Sequence, residues 1–210
     1  MKTERLKEIE TIQIHSGLGD SIEEACLMQM VAYVAGETVA GKRLTDHPEC
    51  ACPILTEYAI ELNDCFSDED RQLLKPFIPL LVGTRANDET QIARRRLIMW
   101  RSVTASYPLI LDQIKLHEYA VFLRSIPNSI EGMQSAKEFL KEKGDEIRKI
   151  AYAKANAHAY ANAHAYADAY ADAYAYAYTR VPDDIDVDAL RASIVKISLD
   201  TLRMAIEVKK

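Results

Sequence analysis

AYAKANAHAYANAHAYADAYADAYAYAY, residues 151–178, puts alanine at every odd position from Ala151 to Ala177 and Tyr, Asn, His, Asp or a single Lys at the even ones. Strict alternation is the strand period, but a strand of this length would reach about 90 Å with one face entirely alanine, far beyond the strands of compact domains. The same residues wound as an α-helix span about 42 Å, and half of them are the best helix former. The stretch therefore reads as a helix. On a helix, period two produces i,i+4 rows rather than one face. Tyr166, Tyr170, Tyr174 and Tyr178 form one row, and His164, Asp168 and Asp172 form another. NAHAYA occurs twice in succession and DAYA twice, the signature of duplication and of a spacer helix. An aromatic contact stripe and a His/Asp metal row are the rival readings.

Outward from this tract the chain keeps the helical period. Towards the C-terminus, Leu190, Ile194, Ile197, Leu202 and Ile206 share one face of a helix over about Asp186 to Val208, with acidic residues at its start and lysines at its end. Towards the N-terminus, Ser129 and Glu131 start a helix that Gly144 interrupts or ends. Pro108 starts one that runs to Ile126, and Asp88 and Glu89 start one that runs through about Ser106. Ser67 with Asp70 caps a short helix that stops near Pro76, and Pro53 opens one to about Asp64. Ser21 and Glu24 form a capping box for a helix carrying Leu27, Met30, Val31 and Val34, closed by Gly36. The N-terminal residues supply a polar helical turn or two. No run of alternating β-branched residues demands a sheet. The expected fold is an all-α multi-helix bundle: a helical domain over 1–150, the Ala/Tyr-rich helix over 151–180 and a C-terminal helix over 181–210.

The composition narrows the function. A formal net charge of −6 over 210 residues disfavours non-specific nucleic-acid binding, which needs a basic surface. No apolar run approaches a membrane span, and Met1 to Glu10 lacks the apolar core of a signal peptide. A cytoplasmic protein with reduced thiols is expected. His47, Cys50 and Cys52 lie in Asp46-His47-Pro48-Glu49-Cys50-Ala51-Cys52-Pro53, with Cys26 and Cys65 elsewhere. One C-x-C without a matching pair does not have zinc spacing, so buried thiols are expected rather than a metal site or cofactor. Nucleophile-elbow, phosphate-loop, dinucleotide and H-E-x-x-H motifs are all missing from the sequence.

The densest chemistry is cationic. Arg85, Arg94, Arg95, Arg96 and Arg101 fall in one short stretch with Trp100 among them. Guanidinium forks bind phosphate oxygens bidentately and an indole can stack on a base, although such a stretch can equally be a solvated helix face. The long loop from Glu37 to Pro53 is of the length that ordered domains reserve for function.

In order along the chain stand Val31-Ala32-Tyr33-Val34-Ala35-Gly36-Glu37, Asp46-His47-Pro48-Glu49-Cys50, Asn63-Asp64, Leu74-Lys75-Pro76, Ile78-Pro79, Leu81-Val82-Gly83-Thr84-Arg85, and Arg94-Arg95 followed by Trp100. This ordered set resembles a family of small uncharacterised proteins of bacteriophages and bacteria, often actinobacterial, over roughly residues 25–110. The Ala/Tyr tract and the capped C-terminal helix depart from it. The resemblance implies a phage or prophage setting, hence the host cytoplasm, and with it an accessory anti-defence protein that soaks up a cyclic-nucleotide or ADP-ribose-type immune signal.

The expectation is a non-enzymatic, self-associating binder of a small anionic, nucleotide-like ligand. Arg85, Arg94, Arg95 and Arg101 would hold phosphate, Trp100 or a nearby tyrosine would stack on a base, and His47 and Glu37 would lie on the closing loop. The alternatives are an enzyme that degrades such a ligand, with His47 as acid–base beside Asp64 or Glu37, and a structural or protein-inhibiting module acting through the tyrosine row.

Overall fold

The computed structural model describes residues 2–37, 44–154 and 187–208, and among these every regular element is helical. The Ala/Tyr tract beyond Lys154 and its tyrosine and His/Asp rows lie outside the described residues. The chain forms two compact units, Met1–Arg95 with Leu199–Lys210, and Arg96–Ser198. The division falls inside two helices, so neither composition nor a linker announces it.

The first unit is built around α2 (Leu27–Ala35), whose residues are buried on nearly every side. A helix apolar all round needs neighbours all round. It has them in α1 (Thr3–Glu8), α3 (Pro53–Cys65) and α5 (Ile78–Leu81). The start of α2 differs from the sequence expectation. Ser21 and Glu24 do not box a helix; Ser21 bonds the carboxylate of Glu23, and the helix starts five residues later with Cys26 as N-cap. The cause is a tight fold-back: a Cβ on Gly19 would lie 2.0 Å from the Glu24 carbonyl oxygen. The helix ends as expected at Gly36, whose φ of 91° only glycine adopts without cost. Arg5 covers that end, donating to the Tyr33 carbonyl at 2.8 Å while its guanidinium stacks on the Tyr33 ring.

Ser67 caps α4 (Asp68–Arg71) by accepting from the Asp70 N–H, as the sequence predicts. A 3₁₀ turn over Gln72–Phe77 leads into α5. The irregular chain between α1 and α2 has no ladder of its own, so side chains complete it. Gln72 pairs with both backbone groups of Ile14, Asn63 donates to the His15 carbonyl, and Asp64 accepts from the Gly17 N–H. Buried Arg71 donates to the Asn63 and Phe66 carbonyls, which fixes the end of α3.

The second unit packs Val103, Leu111, Leu123, Ile126 and Ile147 around a common core. Pro108 does not separate two helices. The helix α6 (Asp88–Arg101) runs through a π turn at Ser102–Ser106 into α7 (Tyr107–Gln113). A proline inside a helix lacks the N–H donor and its ring meets the carbonyl four residues back; the wider π turn, closed by Tyr107 N–H on Ser102 O, makes room for it.

The helix expected over 108–126 is two helices, α7 and α8 (His117–Arg124). Lys115 turns the chain with φ of 65°; its N–H bonds Asp112 O and that of Leu116 bonds Leu111 O, the Schellman pattern with lysine where glycine is usual. Asp112 then holds α8 against α7, its carboxylate pairing with both His117 and Arg124. Gly144 neither interrupts nor ends α9 (Ile130–Lys154); it sits inside that helix, where an added Cβ would meet open space. The final helix, α10 (Val187–Glu207), crosses from the second unit to the first.

Lys115→Gly removes a left-handed penalty of about 1–2 kcal/mol against a glycine entropy cost of about 0.5–1 kcal/mol, so thermal unfolding should show a net gain; a lower melting temperature would contradict the strain. Gly144→Ala should stabilise by about 0.5–1 kcal/mol. Gly132→Ala should cost about 1–3 kcal/mol, because its Cβ would lie 2.2 Å from the Pro127 carbonyl oxygen. Equal effects at the two glycines in a urea titration would contradict that difference.

Candidate functional site

The loop carrying His47 and two of the cysteines is ordered from Leu44 to Cys52 by neighbours in the first unit. At its start, the Leu44 carbonyl accepts from the Gln29 side chain at 3.0 Å. At its end, Glu37 grips the turn with both carboxylate oxygens, accepting from the backbone N–H groups of Glu49 and Cys50 at 2.8 Å each. Arg85 completes the grip from the other side. Its backbone N–H donates to Cys50 O at 3.0 Å and its guanidinium to Glu49 O at 3.3 Å. Thr84 accepts from the Cys52 N–H and donates to Leu81 O. Glu37 and Arg85 thus both serve the main chain of the loop that carries His47.

His47 is exposed. Its Nδ1 lies 2.8 Å from Asp46 Oδ1 and its Nε2 lies 3.2 Å from Glu57 Oε1 on α3. The hydrogen bond to Asp46 is the main cause of a pKa above the ordinary histidine value, with Glu57 adding to it against partial burial. The expected acid–base partners are not the ones found: Asp64 binds Gly17 and Asn63, and Glu37 binds the loop.

All four cysteines are free thiols. Burial raises the pKa of Cys26 and Cys50, and it pushes Cys65 up to about 11 with help from Glu61 and Asp64. Such thiols are poor nucleophiles at neutral pH. Among the described residues no group of three or more His, Cys, Asp or Glu is placed to hold a metal ion.

The arginines separate by environment. Arg94 is 3% exposed and donates to Thr84 O at 2.7 Å, Ala205 O at 3.1 Å and Val208 O at 3.2 Å. The last two are carbonyls left orphaned at the end of α10, so Arg94 caps that helix and closes the first unit. It does not present a fork to phosphate. Arg85 and Arg95 are exposed, and among the described residues neither is ion-paired with a carboxylate. Trp100 and Arg101 belong to the second unit. The Trp100 indole N–H donates to Ile126 O at 2.8 Å and the ring packs on the apolar core, so it is a wall of the fold rather than a free stacking platform.

Sequence reasoning missed the buried amides Gln29 and Asn63, the half-buried Gln72 and the buried Arg71. One signal was available, a glutamine amid the apolar residues of α2. Its partners lie in loops that no local pattern specifies.

The two adjacent arginines should behave differently. Arg94→Met should destabilise by about 3 kcal/mol, because it strands carbonyls that a charged donor served; Arg95→Ala should stay within about 0.5 kcal/mol. Matching urea midpoints would overturn the structural assignment of Arg94. Against known proteins, no family model, no curated protein and no solved structure matches the chain, so its chemistry is read from these contacts.

Proposed function

We propose that the chain is a non-enzymatic binding protein that sequesters a small anionic, nucleotide-like ligand on its first unit, with Arg85 and Arg95 as the cationic contacts and His47 on the neighbouring loop. The observation that carries this reading is the contrast among the arginines. Arg94 is locked into the fold, whereas Arg85 and Arg95 are exposed and, among the described residues, pair with no carboxylate, in an acidic chain. Arg85 is held by its own main chain and by Glu49 O, which leaves most of its five N–H donors for an incoming oxyanion. Pre-positioned cations lose little side-chain entropy on binding.

An enzyme working through His47 has less support, because both ring nitrogens already face carboxylates. A protein-binding role has one observation of its own. On the second unit Val121 is 64% exposed and Ile130 72% exposed, both apolar side chains in water. The second copy implied by the self-association expectation is one partner such residues would suit.

Native mass spectrometry of the full chain purified from expressing cells tests the proposal. The expected result is a mass increment that denaturation releases as an intact phosphate-bearing compound, and that Arg85→Ala with Arg95→Ala abolishes. A bare wild-type chain, or an increment that survives the double substitution, would overturn it.

A further inference from the structure

The loop between Leu44 and Cys52 is held unevenly. Its start is pinned by Gln29 and its end by Glu37, Arg85 and Thr84. Between these anchors lie residues 45–48, and among the described residues the one side chain that hydrogen-bonds this stretch to another element is His47, reaching Glu57 on α3. His47 is in turn held within the loop by Asp46 and by its own N–H on Thr45 Oγ1. The imidazole is therefore a bridge with one carboxylate at each end, one from the loop and one from the helix beneath it.

We infer that His47 is a pH-operated latch, closing the middle of this loop onto α3 when its ring is protonated and releasing it when the ring is neutral. A protonated imidazole donates from both nitrogens, so it satisfies Asp46 and Glu57 together; a neutral ring has one donor and must face the other carboxylate with a lone pair. The charged groups hydrogen-bonded to the ring are Asp46 from the loop and Glu57 from α3. The direction follows from these contacts. Because the folded state raises the histidine's pKa, the latch is fully engaged below the ordinary histidine range and is lost as pH rises through the raised value. All three groups are at least partly exposed, so the effect is modest: release should raise local opening by about two- to five-fold.

The loop also carries the Glu49 and Cys50 carbonyls that anchor Arg85, so the latch would adjust how firmly that arginine is held. That consequence rests on the proposed role of Arg85; the latch does not.

The test therefore uses the full chain without any ligand, so its failure is separate from a failure of the anion reading. Amide exchange at His47, corrected for its intrinsic pH dependence, is measured by NMR at about pH 5.5 and about pH 8.5, either side of the histidine range. Exchange should be about two- to five-fold faster at the higher pH. It should lose that dependence in His47→Gln. Glu57→Gln should shift the His47 ring titration to lower pH. Exchange independent of pH in the wild type, an unchanged dependence in His47→Gln, or an unmoved ring titration in Glu57→Gln would overturn the latch.

Discussion

The side-chain amide of Gln29 is fully buried in the first turn of α2, and all four of its hydrogen-bonding positions are filled. Its oxygen accepts from the Gly19 and Cys26 N–H groups, and its nitrogen donates to the Gly19 and Leu44 carbonyls. One amide thus fixes the chain before α2, the start of α2 itself and the start of the loop that carries His47. A leucine here would fill the space but strand four main-chain groups, each costing about 1–3 kcal/mol if it stayed buried. The first unit has short helices and long irregular segments, so its loops cannot complete themselves with ladders. Asn63, Gln72, Thr84, Glu37 and Arg94 repeat the same solution, each lending a side chain to main-chain atoms far away in sequence, and Arg71 does so over a shorter reach at the Asn63 and Phe66 carbonyls.

The second unit is held by different means. Its core is aliphatic and aromatic, with Phe139 packed edge-on against Tyr119 and stacked beside Phe122. Its special features are adjustments of the helix itself. A π turn absorbs Pro108, Thr104 bonds back to Trp100 O, and a Schellman turn at Lys115 folds α8 onto α7. These are local in sequence, whereas the first unit depends on contacts between distant segments.

That difference explains what was legible beforehand. The all-α class, the start of α3 at Pro53, the Ser67 cap, the end of α2 at Gly36 and the Ser129 start of α9 were all readable, because each signal acts within a turn of the residue that sends it. The Ser21–Glu24 box failed because a tertiary demand, the fold-back at Gly19, outweighed a local preference. Gly144 failed because one glycine costs a long packed helix less than ending it would. In the site, the pairing of His47 with Asp46 could be guessed from adjacency, but Glu57 depended on where α3 lies. Arg94 looked like its neighbour Arg95 in sequence; only its distance from the end of α10, 111 residues away in the chain, set it apart.

The first unit is discontinuous: residues up to Arg95 are completed by Leu199–Lys210, with the whole second unit encoded between them. A chain made from its N-terminus therefore emerges with the largest part of this unit present but its closing helix still unmade. Until Ala205 and Val208 are made, Arg94 lacks two of the three carbonyls it donates to and has only that of Thr84. The second unit, Arg96–Ser198, is contiguous and fully made before residue 199 is added, so the unit begun first is the one completed last.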